Sequence, residues 1–571
     1  MPARSATPAP RATMLKISAA WRIEGGGMRR RFGEGWIALP IFRMSIKMDR
    51  CLSVTPAKAG VQIEKTWIPA CAGMTTFEHG VILLGTLILF LLSSPALASE
   101  EADSEEAATT AEDESTADGE KPVEPAAHPE DGFHFGTYGR VQASSDFDGR
   151  LGDNTNIVAH GARLMEGPYV ELDFGYTKHT DDDFGVRVLT TLALFGDVLH
   201  YTGEVEQLIA LRNLYAEVEH FLPTDLRVWI GSRMYRGDDV YLLDFWPLDN
   251  LNTYGGGVQW DGYGLRFQWH MGVNRLLNKN NLRTIQTPAT FGADEITVME
   301  RQKLITSLKA TYFAFKVAEK LSLKASLYGE FHHLPTGEYE YSDEDAAYFE
   351  QFGLETDADF KRDLPADNGF VVGAQLGLWD FSPSSHLNLF FRYARDLAAY
   401  GEWALPWGLA SDRTTSSAQE FVMAYALNWE SHSVGLLSGG YARYFEDADA
   451  ERYDLDDYWE GILSMRPAIF VTRHYHQMFE ISHQWKRPNG LAEETQQHLV
   501  PQVVQLSVIP ALSLDRGMYQ RPQLRLVYTA SYLNGAARQL YPAWDSARDR
   551  AWHHFFGAQA EWWLDSATYK P

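Results

Sequence analysis

Only two cysteines, Cys51 and Cys71, occur in 571 residues, and both fall within the first 98. From residue 99 onward there is no thiol, which excludes a disulfide scaffold and a thiolate metal site there. Positive charge is also scarce: 50 Lys+Arg face 76 Asp+Glu, a net charge of −26. Nucleic acid is therefore not expected as a partner, because phosphate binding needs clustered cations. Long apolar runs are wanting too. The run at residues 81–92, VILLGTLILFLL, is 12 residues, whereas a helix that crosses a bilayer needs about 20. The signatures GxxxxGK[ST], GxSxG, HExxH and a paired CxxC are all missing. The acidic stretches do not have EF-hand spacing. His474 and His476 have a spacing that would put two imidazoles on one strand face, but two ligands without a third make a poor metal site. No catalysis, no cofactor and no resident metal are expected.

The charge is unevenly distributed. Residues 1–98 hold 12 Lys+Arg against 5 Asp+Glu. Within them the apolar run 81–92 is followed by Ala96-Leu97-Ala98, small residues at −3 and −1 of a signal-peptidase site. Residues 74–98 therefore read as a secretory signal. Residues 1–73 read as a non-native upstream extension, with translation beginning at or near Met74; residues 55–75 resemble translated intergenic repeats. Residues 99–131 carry 13 acidic residues and one lysine with almost no large apolar side chains. Such a segment buries too little surface to offset its ordering entropy, so a disordered acidic linker is expected.

Residues 132–571 form the body, and alternation with a period of two keeps returning in it. Leu321, Leu323, Ala325, Leu327 and Phe331 alternate with Lys320, Ser322, Lys324, Ser326, Tyr328 and Glu330. Val372, Ala374, Leu376 and Leu378 oppose Gly373, Gln375 and Gly377. Phe133, Phe135, Val141 and Ala143 oppose His134, Tyr138, Arg140 and Gln142. Two architectures give this pattern: a soluble sandwich with its apolar face inward, or a transmembrane barrel with its apolar face outward. The export signal, the lack of cysteine and the charge on strand after strand favour the barrel. Acidic inserts at residues 338–367 and 446–461 suit the long external loops of such barrels.

Residues 226–260, LRVWIGSRMYRGDDVYLLDFWPLDNLNTYGGGVQW, are the most informative stretch. Leu226, Val228, Ile230 and Met234 share one parity, and Arg227, Trp229, Arg233 and Tyr235 the other. The alternation then stops. A long loop rich in Asp and aromatics, residues 237–254, is expected to run into a turn at Gly255-Gly256-Gly257, with the next strand beginning at Val258. A loop this long and polar suggests an element with a task.

YRGDDVYLLDFWPLDN, residues 235–250, resembles the constriction segment of the maltoporin (LamB-type carbohydrate porin) family. FGTYGRV (135–141) and FFGAQAEWWL (555–564) resemble that family's first and last strands. The resemblance implies an all-β fold, a transmembrane antiparallel β-barrel of about 18 strands with an inward-folded constriction loop. It further implies a homotrimer in the outer membrane of a Gram-negative bacterium, in contact with lipid and lipopolysaccharide. The implied function is passive facilitated diffusion of maltose- or maltodextrin-like sugars. By the same resemblance Tyr138, Tyr169, Tyr519 and Trp563 match an aromatic slide, and Trp246 stands at the constriction. Arg140, Arg163, Glu171, Arg212, Arg236 and Asp244 match a polar track. An aromatic is expected where Leu389 stands, and Leu248 replaces a frequent Trp. Parity independently puts Tyr138 with Arg140, and Tyr169 with Glu171, on one strand face; Tyr519 joins Arg525 if a strand runs unbroken between them. The alternatives are a general diffusion porin of the same architecture and an exported β-sandwich carbohydrate-binding protein or enzyme.

Overall fold

In the computed structural model the chain divides into two units, residues 1–117 and 118–571. In the first, only the strand pair Arg31–Phe32 with Gly35–Trp36 is described. In the second, the structure describes residues 131–567 apart from 153–154, 198–205, 222–224, 276–281, 289–292, 300, 319–320, 341–360, 383, 404–413, 449–454 and 493–495. Apart from that strand pair, the readings of residues 1–73 and 74–98 thus lie outside the described residues, and the linker reading does so up to Asp131.

Eighteen antiparallel strands close into a barrel. The first six are β1 (Gly132–Ser145), β2 (Tyr169–His179), β3 (Gly185–Asp197), β4 (Glu206–Glu219), β5 (Leu226–Arg236) and β6 (Asn250–Gly262). Next come β7 (Leu265–Asn274), β8 (Lys303–Ala318), β9 (Leu321–Leu334), β10 (Asp367–Trp379), β11 (His386–Asp396) and β12 (Gln419–Glu430). The last are β13 (Val434–Glu446), β14 (Tyr458–Phe470), β15 (Tyr475–Pro488), β16 (Gln502–Ser513), β17 (Gln523–Leu533) and β18 (Trp552–Leu564). Each strand pairs with its neighbours in sequence. Closure comes from β18 on β1, with Glu561 opposite Arg140 and Trp563 opposite Tyr138.

The pleat decides which face is which. Leu327 is 69% exposed on the outer wall while its neighbour Tyr328 is buried; Ile230 and Trp229 divide the same way. Apolar side chains face outward and polar or aromatic ones inward, the reverse of a sandwich. A closed barrel is also the sheet that leaves no unpaired backbone edge in lipid. Connections alternate in length. Residues 263–264 and 431–433 are short turns at one end, while the connections at the other end are long, those after β7 and β9 carrying the strand pairs Leu282–Pro288 with Ala293–Met299 and Gly337–Glu340 with Lys361–Leu364. In barrels of this kind the short turns are periplasmic. Asp131, the one described residue of the acidic linker, lies at the short-turn end. It accepts from Lys178 Nζ at 2.6 Å and from the His179 backbone N–H at 2.8 Å. That ion pair holds its carboxyl well below the usual carboxylate range.

One boundary differs from the sequence expectation. β6 begins at Asn250, so Gly255–Gly257 lies inside a strand and not in a turn. The glycines serve close packing. A Cβ at Gly257 would stand 2.6 Å from the Trp229 indole nitrogen, and one at Gly255 would collide with the Met271 carbonyl. Glycine in a strand marks such an approach as readily as it marks a turn.

Candidate functional site

Among the described residues, three inward-folded segments meet at the constriction. The largest is the constriction loop, residues 237–249, which contains a 3-10 turn at Tyr241–Leu243. Its apolar side chains Val240, Leu242, Leu243, Phe245 and Leu248 are buried in one cluster with Val371, Phe390, Val422, Leu437 and Ile462 of the β10–β14 wall. Burial of each large aliphatic contributes about 1.5–3 kcal/mol. Two glycines make room for it: a Cβ at Gly373 would stand 2.5 Å from Leu248, and one at Gly439 would run into Val240. The seat thus explains why aliphatic residues alternate into a lumen that is otherwise polar.

The second segment, residues 155–166 of the β1–β2 loop, lies beside the constriction loop. The Arg163 backbone N–H donates to the Leu242 carbonyl at 3.0 Å. Gln505 Nε2 donates to Thr155 Oγ1 at 2.8 Å, and the Ile157 N–H donates to Gln484 Oε1 at 2.9 Å. The third segment is the β16–β17 connection, residues 514–522, where the Met518 N–H donates to Glu430 Oε1 at 3.0 Å.

These segments meet the inner faces of β1, β2 and β18 around a buried carboxylate, Glu561. It accepts from Arg525 at 2.9 Å, Arg521 at 3.0 Å, Arg163 at 3.2 Å and the Tyr241 hydroxyl at 2.7 Å. Three guanidiniums from the wall, the first loop and the last turn thereby share one anion with the constriction loop. Removing one partner from such a buried ionic cluster typically costs about 3–5 kcal/mol, because the charges left behind are unpaired.

Most of the residues singled out in the sequence gather here. Tyr169 is half-buried beneath two guanidiniums, with Arg140 Cζ at 5.2 Å and Arg212 Cζ at 5.9 Å from its ring centroid. Its hydroxyl bonds to Glu171 and Arg212, and Arg212 pairs with Glu171 at 2.9 Å. Arg140 reaches Glu166 at 3.0 Å and Asp244 at 3.8 Å. Arg163 pairs with Glu166 at 2.7 Å. Trp563 is half-buried with Arg521 Cζ 4.3 Å above its ring. At the far edge of the constriction loop Arg236 lies 4.0 Å over the half-buried Trp246 ring. Asp244 holds its place with a left-handed φ of 49°.

Three placements differ from a simple lumen-lining row. Tyr138 is fully covered at 0% exposure, 5.9 Å behind Tyr169, with its hydroxyl accepting from Arg163 Nη2 at 2.5 Å. Tyr519 is not on a strand: β17 begins at Gln523, so its shared parity with Arg525 does not hold, and it enters from the inward turn. Leu389 lies between the inward-facing Asn388 and Phe390, and Phe390 is buried under the constriction loop. His474 precedes β15, so it does not share a strand face with His476. Among the described residues no group of three or more His, Cys, Asp or Glu could hold a metal ion.

Sequence reasoning missed Glu561, Tyr241, Arg521 and Arg525. Glu561 was within reach, since it shares parity with Trp563 two residues away. Arg525 lies on the β17 wall, whereas Tyr241 and Arg521 depend on loops folding inward, for which alternation carries no signal.

A family model described as LamB porin matches residues 133–563. No curated protein matches. Among solved structures, the chain is similar to OccD3 (OpdP) of Pseudomonas aeruginosa at 8% identity and a TM-score of 0.38, over 77% of this chain and 92% of that one. It is similar to OprD from the same organism at 9% and 0.35, over 77% and 95%. Outer-membrane expressed OmpT of Vibrio cholerae gives 10% and 0.32, over 77% and 100%.

Proposed function

Because the chain belongs to the LamB porin family, we propose that this outer-membrane β-barrel mediates passive diffusion of sugars, of the maltose or maltodextrin-like class. The observation that carries the reading is Tyr169, a half-buried aromatic face set between two guanidiniums and a carboxylate. A pyranose ring has apolar C–H faces suited to an aromatic surface and a rim of hydroxyls suited to Arg and carboxylate. Trp246 with Arg236, and Trp563 with Arg521, repeat the same pairing of ring and guanidinium. Several weak sites in series let a solute pass without being trapped. In this reading Tyr169, Trp563, Tyr519 and Trp246 offer the rings, with Tyr138 supporting Tyr169 from behind. Arg140, Arg163, Glu171, Arg212, Arg236 and Asp244 bind hydroxyls or position the groups that do. A homotrimer, lipopolysaccharide contact and removal of a signal peptide belong to the same proposal.

The test is the ion current of the refolded protein in a planar bilayer, titrated with malto-oligosaccharides, sucrose and a non-sugar solute of similar size. Saturable block by one sugar series is expected. Tyr169→Ala and Trp246→Ala should each weaken that block about 3- to 10-fold, the worth of one aromatic contact, while changing conductance less. Current without block would establish a general diffusion porin, and unchanged block in both variants would remove the site assignment.

A further inference from the structure

At the long-loop end a further stretch turns inward, away from the constriction. β11 ends at Asp396, whose φ of 54° is a sparsely populated conformation for a residue with a Cβ. The surroundings hold it there: its N–H donates to the Ala418 carbonyl at 2.8 Å, and its carboxylate accepts from the Ser417 N–H at 3.0 Å. From this neck the chain passes through a 3-10 turn at Leu397–Tyr400 and reaches Glu402. Leu397, Ala398 and Ala399 are buried against the wall. Gly369 of β10 makes room for them, since a Cβ there would stand 2.2 Å from the Ala398 nitrogen.

The far end is held by polar contacts on strands well removed from β11. Lys303, the first residue of β8, donates from Nζ to the carbonyls of Gly401 and Glu402. The Glu402 carboxyl accepts from the Asn252 N–H of β6 at 2.7 Å, and Asn274 of β7 donates to the Glu402 carbonyl at 3.2 Å. Residues 397–402 therefore run as a strap from β11 to β6 across the long-loop mouth. Glu402 is only 8% exposed. The charged groups around its seat are Lys303 of β8 and Glu330 of β9, the latter bonded to His332, with Asp367 of β10 beyond Lys303.

The two ends of the strap respond differently to pH. The near end rests on apolar burial, which pH leaves unchanged. At the far end burial, aided by Glu330, pushes the Glu402 carboxyl up to about 7, against the pull of the Asn252 N–H, Asn274 and Lys303. In water a glutamate titrates near about 4.3. The seat thus favours the protonated acid: its full hold is present below about 4.3 and is lost as pH rises through about 7. Between pH 5 and pH 8 the ratio of seated to released strap falls about 50- to 100-fold.

We propose that residues 397–402 form a pH-responsive strap over the long-loop mouth, seated on β6–β8 while Glu402 is protonated and released when Glu402 ionises. The device acts on the width of the mouth whatever solute passes, so it stands apart from the sugar reading.

The experiment places a thiol at a covered strap position, Ala399→Cys, in the full-length barrel in detergent micelles. Labelling by a methanethiosulfonate at pH 5 and pH 8 is followed at that residue by peptide mass spectrometry. Tyr263→Cys, at a position 95% exposed, corrects for the ionisation of the thiol itself. The corrected rate should rise about 50- to 100-fold from pH 5 to pH 8. Glu402→Gln keeps an acceptor for the Asn252 N–H without the charge, and in it labelling should stay slow at both values. Gly369→Ala crowds Ala398 and should give fast labelling already at pH 5. In planar bilayers at 1 M salt, where the charge itself is screened, single-channel conductance should rise over the same interval and the rise should persist in Asp239→Asn. Equal corrected rates at pH 5 and pH 8, or a rise that survives in Glu402→Gln, would overturn the proposal.

Discussion

At the scale of single residues, the constriction loop carries an acid whose charge depends on pH near neutrality. Burial, with the neighbouring carboxylates of Asp244 and Asp238, pushes the Asp239 carboxyl up to about 7, against a smaller downward pull from Arg163. A carboxyl with a raised pKa is neutral below that value and anionic above it. Raising the pH from 6 to 8 therefore adds negative charge beside the constriction. The ratio of cation to anion permeability should rise across that interval, and the rise should vanish in Asp239→Asn. Reversal potentials in a salt gradient read it directly; a rise that persists in the variant would assign the titration elsewhere. Other acids of the site were harder to foresee. Glu171 could be placed two residues from Tyr169 by parity alone, whereas the partners of Glu561 come from positions up to 423 residues away in sequence. No local pattern encodes such a separation.

At the scale of elements, the wall and the constriction loop were legible, and the other two inward segments at the constriction were not. Strand alternation in residues 321–331 and 372–378 gave the strands and their two faces, because the pleat enforces a period of two. Gly255–Gly257 misled because glycine relieves crowding inside a sheet as well as strain in a turn. The β16–β17 connection could not be foreseen as inward-folded, since its burial depends on Glu430 and Glu561, which lie on other strands. The constriction loop illustrates how such an element is fixed. Its position depends on an apolar seat with two glycines facing Val240 and Leu248. Gly439→Leu fills the space under Val240, so the loop must lift into the channel or the wall must yield. Overpacking a tight seat costs about 1–3 kcal/mol. Single-channel conductance is expected to fall, and Val240→Ala should restore it in the double variant by clearing the same space. Conductance unchanged in Gly439→Leu would show that the loop is not held by this contact.

At the scale of the whole molecule, two charge distributions compete to select ions. Around the constriction Arg140, Arg163, Arg212, Arg236, Arg521 and Arg525 stand against Glu166, Glu171, Asp239, Asp244 and Glu561, which is close to balance. The loop end is far from balance. Residues 338–367 hold 11 acidic and two basic side chains, and residues 446–461 hold eight and one. Among their described residues Asp363 and Asp456 are exposed, so their charge is open to screening. The Debye length is about 10 Å at 0.1 M salt and about 3 Å at 1 M. An acidic mouth thus enriches cations in dilute salt and loses its reach in concentrated salt, whereas paired charges inside the barrel are screened far less. The channel is expected to be cation-selective in salt near 0.1 M and nearly unselective near 1 M. Neutralising the acids of residues 446–457 to Asn and Gln should remove much of the low-salt preference without altering sugar block at the constriction. An anion preference that survives at high salt would mean that the guanidiniums of the lumen govern selectivity and that the acidic loops do not.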